Sequence, residues 1–150
     1  TEEDLGADVA IKNERYYRLL DELVNALKAE MGDRISLKGL RATPIWSGYR
    51  RYLSYNYHGV TLEYDTKKWK NPESKNTPYW LRIDRSVDGR WRFDERCEKA
   101  MKKIAPELKD GTYIALIPKR YVALNEIVED MKKQVLEYFE IFKETEEQEE

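Results

Sequence analysis

Apolar positions recur along this chain in three helical registers separated by segments of alternating pattern. Tyr16, Leu20, Leu23, Val24, Leu27 and Met31 repeat at three- and four-residue spacing and stop at Gly32. That pattern predicts an amphipathic helix from about Ile11 with a glycine stop signal. After Asp94, a favourable N-cap, Cys97, Ala100, Met101, Ile104 and Leu108 form a second stripe that Pro106 brings to a close. Leu124, Ile127, Val128, Met131, Val135, Tyr138, Phe139 and Phe142 trace a third stripe, continuous over roughly five turns and so in need of a substantial surface to cover.

Between the first two helices the period falls to two. Tyr57, His58, Gly59 and Val60 read as a two-residue hairpin turn in which glycine supplies the positive backbone angle. Pairing across that turn sets Tyr57 opposite Val60, Tyr55 opposite Leu62 and Leu53 opposite Tyr64 on a core face. Asn56 with Thr61, Ser54 with Glu63, and Tyr52 with Asp65 take the other face. The strand YWLRID alternates likewise, with Tyr79, Leu81 and Ile83 inward and Trp80, Arg82 and Asp84 outward. Gly48 in WSGY marks a bulge or a close backbone approach where the chain enters the sheet, and VDGRW at 87–91 makes a turn. Arg51 falls by parity on the core face. It therefore lies at the sheet margin, or follows a bulge near Gly48, or the register is wrong by one.

YIALIP is almost continuously apolar and ends at Pro118, as expected for a central strand covered on both faces. The whole reads as an α+β domain: helix, three-stranded antiparallel meander, helix, central strand and long C-terminal helix, in two or three layers. Residues 1–10 are expected to be a flexible lead, 11–142 a single domain, and 143–150 a disordered acidic tail, since KETEEQEE carries five glutamates in eight residues.

Composition narrows the classes of function. At 150 residues the chain is long enough for one self-sufficient core. One cysteine and one histidine exclude an internal disulfide and leave no zinc set, so a reducing, cytoplasmic setting is the default. No apolar run approaches a membrane span and no signal segment opens the chain, whose first residue, Thr1, fits a processed chain or a fragment. High charge with only two glutamines points faintly to a thermophilic, prokaryotic source. The net charge of −2 conceals a basic middle: residues 33–93 hold 13 Lys and Arg against 6 Asp and Glu. The same segment contains 11 of the 18 aromatic residues, and a basic, aromatic surface is the footprint of nucleic-acid binding.

Candidate binding residues follow from that footprint. In the long connection TKKWKNPESKNTP, Lys67, Lys68 and Lys70 are placed to track phosphates while Trp69 stacks on an unpaired base. The outward face of the meander adds Arg50, Tyr52, Trp80 and Arg82. The competing expectation is that Trp69 folds back as the anchor of a solvated lysine loop. Glu63, Asp65 and Asp84 also fall on the outward face, where they would bind magnesium or, beside the arginines, form a ladder of carboxylate and guanidinium pairs. The element order is similar to the core of the restriction-endonuclease-like PD-(D/E)XK nucleases. LEYD supplies acids, but WLRIDRS has no lysine at that family's spacing, so the resemblance implies fold more than catalysis.

His58 is expected at an exposed turn tip without a catalytic neighbour, and Cys97 in a helix stripe as an inert thiol. Glycine-rich phosphate loops are absent, so no cofactor is expected. Three functions are in competition. The leading one is a non-catalytic binding module contacting nucleic acid. A protein-interaction or accessory domain, self-associating or docking a partner, is the first alternative, and a divergent magnesium-dependent nuclease the second. Membranes are not an expected partner, and the balance weighs against an enzyme.

Overall fold

The computed structural model describes residues 2–56, 58–69, 77–106 and 113–149, with side chains described from residue 14 to 145 within those ranges. Among the described residues four helices, α1 (Glu2–Met31), α2 (Thr66–Trp69), α3 (Glu95–Ile104) and α4 (Leu124–Glu149), accompany one sheet. The seven strands are β1 (Ile35–Ser36), β2 (Thr43–Ile45), β3 (Gly48–Tyr55), β4 (His58–Asp65), β5 (Tyr79–Val87), β6 (Arg90–Arg92) and β7 (Ile114–Leu116). The order is β1-β3-β4-β5-β6, with β2 also on β3 and β7 also on β5, and every pairing is antiparallel. The protein is thus α+β, with a long N-terminal helix, an antiparallel sheet and a long C-terminal helix. α1 packs on β3 and β4, α3 on β5, and α4 against α1, α3 and β7.

The long strands alternate as expected. Leu53 and Tyr55 of β3, Val60, Leu62 and Tyr64 of β4, and Tyr79, Leu81 and Ile83 of β5 are buried with Leu20, Leu23, Leu27, Met131, Val135 and Phe139 of the helices. Tyrosines make much of this contact. Tyr16 stacks on Tyr64 at 5.0 Å, Tyr17 on Tyr49 at 4.7 Å, and Tyr55 on Phe139 at 4.3 Å between ring centroids. Each such pair adds about 1 kcal/mol beyond the area it buries. Burial, reinforced by Tyr16 and Tyr17, pushes the Tyr64 hydroxyl up to about 12. Arg51 does lie at the margin of this face, where its guanidinium meets Asp21 of α1 at 2.6 Å.

The hairpin turn is two residues earlier than expected. Tyr55 pairs His58, Leu53 pairs Val60 and Arg50 pairs Glu63, so the chain leaves β3 at Asn56, while Tyr57 lies outside the described residues. Asn56 takes the positive φ of 43°, a conformation its short side chain tolerates. Gly59 is instead a strand residue, and His58 starts β4 with its ring edge-on to Phe142 at 5.2 Å. Moving the turn by two preserves each residue's face, because the side-chain period is two, yet changes every cross-strand partner. A second two-residue turn, Asp88 and Gly89 at φ 53° and 76°, closes the hairpin of β5 and β6. At Gly48 a Cβ would run into the Tyr64 carbonyl, which is the expected close approach.

β7 differs from the expectation of a central strand: among the described residues it pairs with β5 alone. Its continuous burial comes from α4, which covers the edge. Gln134 accepts from the Ile117 N–H at 2.9 Å and donates to the Ile117 carbonyl at 2.8 Å, while the Tyr138 hydroxyl donates to the Ala115 carbonyl at 3.2 Å. Side chains thus satisfy backbone groups that another strand would otherwise pair. Helix ends differ too. α1 starts at Glu2 rather than near Ile11, and α4 continues to Glu149 through the stretch expected to be a disordered tail. Apolar periodicity reports only where a helix has a core to face, and a helix propagates beyond that limit through good helix formers such as glutamate and lysine.

Asp94 caps α3 as expected, accepting from the Cys97 N–H at 3.1 Å, and its other oxygen binds Arg85 of β5 at 2.6 Å. Partial burial opposes ionisation, but these partners outweigh it and hold the Asp94 carboxyl below the usual range. A depressed carboxyl stabilises the fold above its unfolded pKa, near 3.9, and that contribution is lost as the pH falls through the lower folded value. Asp94→Ala should therefore cost about 1 kcal/mol at pH 7 in urea denaturation, and Asp94→Asn less, because asparagine still caps. The gap between wild type and either variant should shrink in acid below about pH 4.

Candidate functional site

The face of the sheet turned away from α1 and α4 carries three cross-strand rows. Arg50, Glu63 and Trp80 form the first, Tyr52, Thr61 and Arg82 the second, and Ser54, Gly59 and Asp84 the third. Strands stand about 4.8 Å apart and residues rise about 3.3 Å, so Arg50 and Asp84 are separated by about 13 Å along the strand direction. Over these rows lies a cavity of about 250 Å³, lined in part by Arg50, Tyr52, Thr61, Arg82, Asp84, Trp91 and Tyr113, with Leu40 closing one side.

Beneath the first row Glu63 is fully buried, an unusual position for a carboxylate on a face expected to be solvated. Its oxygens receive the Arg50 Nε at 3.0 Å and the Lys68 Nζ at 3.2 Å. The Lys68 ammonium also sits 3.2 Å from the centroid of the Tyr113 ring. Burial lowers the Lys68 pKa despite the neighbouring Glu63. Burial, and then Glu63, push the Tyr113 hydroxyl up to about 12. In the second and third rows Asp84 holds Arg82 in a two-point grip, Nε to Oδ1 at 2.7 Å and the terminal nitrogen to Oδ2 at 3.1 Å. The Arg82 guanidinium lies 5.2 Å from the Phe93 ring and 5.8 Å from the Tyr113 ring. Both arginines are therefore oriented by neighbours on the same sheet face, with the entropy of ordering already spent within the fold.

Trp91 forms the wall at the third row. A Cβ on Gly59 would stand 2.9, 3.0 and 3.2 Å from three successive ring carbons of Trp91, so the indole lies across the glycine, face towards the strand. The residue as a whole is 43% exposed. This is the physical role of Gly59: it leaves room for an aromatic wall.

The structure divides the expected binding residues. Arg50, Tyr52 and Arg82 converge on the cavity. Trp80 is buried in the sheet, and its indole N–H has no hydrogen-bond partner among the described residues. Successive positions on a helix differ by about 100°, so in α2 Lys68 turns towards Glu63 and Tyr113 while Trp69 turns towards α1. There Trp69 meets Tyr16 edge-on at 5.7 Å, which makes it an anchor of its loop. Lys67 is exposed, its backbone N–H bound to Asp65 at 2.9 Å, and Lys70 lies outside the described residues.

Of the three carboxylates, Glu63 and Asp84 are committed to cations, Glu63 across strands to Arg50 and Asp84 within its own strand to Arg82, while Asp65 accepts from the Lys67 N–H. Among the described residues, no group of three or more histidine, cysteine or acidic side chains gathers as a metal site would require. Arg50, Arg51, Lys68, Arg82 and Arg85 are all ion-paired, but Arg50 and Lys68 share Glu63 and only Asp21 and Asp94 bring acidic charge from outside the middle segment, which therefore keeps most of its basic excess. Cys97 is buried, which pushes its thiol up to about 12. Among the described residues no helix is long and apolar enough to cross a membrane.

Trp91 and Tyr113 were not among the expected site residues. Trp91 was within reach, since continuing the β5 alternation through the Asp-Gly hairpin puts it opposite Ser86, on the face of Arg82 and Asp84. Tyr113 opens an almost wholly apolar run and gives no such signal. Comparisons with protein-family models, with curated proteins and with solved structures find no match.

Removing one partner of a buried ion pair strands the others. Glu63→Gln should lower stability by about 3 kcal/mol in urea denaturation, the lower end of the usual range because Arg50 and Lys68 retain some access to water. Gly59→Ala should displace the indole, seen as a change in Trp91 emission relative to a Trp91→Phe control.

Proposed function

We propose that this protein is a non-catalytic binding module that accepts one nucleotide unit of a single-stranded nucleic acid in the sheet-face cavity. The observation that carries this reading is the polarity of the site. Arg50 stands at one end, Asp84 at the other, Arg82 between them, and Trp91 walls the acidic end. A nucleotide has the matching polarity, with a phosphate at one end and a flat, donor-bearing base at the other. Guanidinium groups fixed by their neighbours suit a phosphate, and an aromatic wall suits an unpaired base, whose stacking is worth about 1 to 3 kcal/mol. A duplex would keep its bases out of such a cavity. The commitment of Glu63 and Asp84 to cations favours binding over metal-dependent cleavage, and the buried single cysteine fits a reducing, cytoplasmic setting.

With two phosphate-directed cations, the affinity for single strands should fall with a logarithmic salt slope of about −1.4, or about sevenfold between 50 and 200 mM salt. Fluorescence titration with mixed-sequence oligonucleotides tests the reading. Quenching should be lost in Trp91→Phe, persist in Trp46→Phe, and weaken about tenfold in Arg82→Ala. Absence of quenching at low salt, or quenching unaffected by Trp91→Phe, would dismiss it.

A different surface favours the second reading, a protein-interaction or accessory domain. Ile117, Tyr121 and Val122 are exposed in the connection between β7 and α4, Tyr121 completely, and Leu124 at the start of α4 is exposed beside them in sequence. A strict monomer by light scattering at high concentration would count against self-association through that segment.

A further inference from the structure

We infer that the single strand this cavity accepts is RNA and not DNA, an inference that rests on the nucleotide reading above. That reading sets the phosphate over Arg50 and the base against Trp91, at opposite ends of the three cross-strand rows. Successive rows lie about 6.6 Å apart, the rise of two strand residues, so the sugar that joins phosphate to base falls over the second row. Tyr52 and Thr61 line the cavity there, with Arg82 beside Thr61 on the next strand.

Neither hydroxyl of that row is used up by the fold. The Thr61 hydroxyl has no hydrogen-bond partner among the described residues, and it is able both to donate and to accept. The Tyr52 hydroxyl lies beside the Arg50 side chain. Arginine only donates, so the Tyr52 oxygen accepts from it and keeps its own proton for a ligand. A ribose 2′-hydroxyl is likewise a donor and an acceptor, and pairs with Thr61 in either direction. Deoxyribose carries a methylene at that carbon. It would shield the Thr61 hydroxyl from water and return no hydrogen bond, and a polar group left desolvated and unpaired is the costly outcome. This discrimination is independent of the base, because the second row faces the sugar, while stacking on Trp91 accepts any ring.

The test titrates the full chain at low salt with three labelled strands of one mixed sequence, read by anisotropy and by Trp91 quenching. The strands are RNA, DNA with deoxyuridine in place of thymidine, and 2′-fluoro RNA, which keeps the sugar shape of RNA but has no 2′ O–H. RNA should bind about fivefold tighter than the deoxyuridine strand, the worth of one hydrogen bond, and the 2′-fluoro strand should bind like DNA. Thr61→Val keeps the branched shape without the hydroxyl and should abolish the ratio of RNA to DNA affinity, whereas Thr61→Ser should retain it. The ratio is taken within each variant, so a general loss of affinity cancels. Equal affinity of the wild type for RNA and DNA would overturn the RNA assignment while leaving nucleic-acid binding intact. A 2′-fluoro strand that binds as tightly as RNA would trace the preference to sugar shape and overturn the hydroxyl contact. An RNA preference that survives Thr61→Val would overturn the role given to Thr61. Failure of every strand to bind at low salt would remove both readings together.

Discussion

A single buried carboxylate organises the open face of the sheet. Glu63 has no access to water, and a charge in that position survives only if it is paired and hydrogen-bonded. It draws Arg50 from the neighbouring strand and Lys68 from the short helix that follows its own strand. Each cation then defines part of the cavity: Arg50 lines it, and Lys68 lies against Tyr113, which closes it. Such a cluster contributes less to net stability than its contacts suggest, since desolvation offsets much of the attraction. Its value is positional. The groups around it have one arrangement that satisfies the charge, so the site is ordered before a ligand arrives.

The opposite face of the sheet solves a different problem with tyrosine. Tyr16, Tyr17, Tyr49, Tyr64 and Tyr79 interleave between α1 and the strands, with the Tyr79 hydroxyl donating to the Tyr16 carbonyl at 3.0 Å. Tyrosine brings large contact area while its hydroxyl finds a partner at the edge of the core. Much of what resembles a ligand-stacking surface in the linear chain is thus structural. Trp69 belongs with that group, because its ring meets Tyr16 on the side of the sheet away from the cavity. Trp91 is the tryptophan that the fold leaves at the cavity wall, beside Tyr52 and Tyr113, and Gly59 is the position that permits it.

The helices α1, α3 and α4 and the inward parity of the long strands were legible from periodicity alone, because both follow from short-range geometry repeated against a single core, whereas the four-residue α2 is too short to show a period. The Asp94 cap and the Gly48 approach were legible for the same reason: each is a local steric or hydrogen-bonding rule. Register was not. Two turn positions compatible with the alternation differ by two residues, and they place identical side chains on identical faces. The local signal favoured glycine, but Gly59 is needed beneath Trp91, a residue far along the chain, and Asn56 takes the positive angle instead. With that shift Arg50 rather than Ser54 stands opposite Glu63, and the ion pair at the centre of the site exists only in the second arrangement.

The edge position of β7 was hidden similarly. A strand reads as apolar whether its neighbours are strands or a helix, and only the folded chain reveals Gln134 and Tyr138 reaching across to its backbone. Sequence alone therefore determined the α+β class, the core stripes and the side of the sheet on which each residue falls, since those depend on the period of the backbone. Tertiary structure decided which outward residues meet. It joined Arg50, Arg82, Asp84, Trp91 and Tyr113 in one concavity and sent Trp69 to the other face, because partners across a sheet are set by register and long-range packing, neither of which leaves a local signature in the chain.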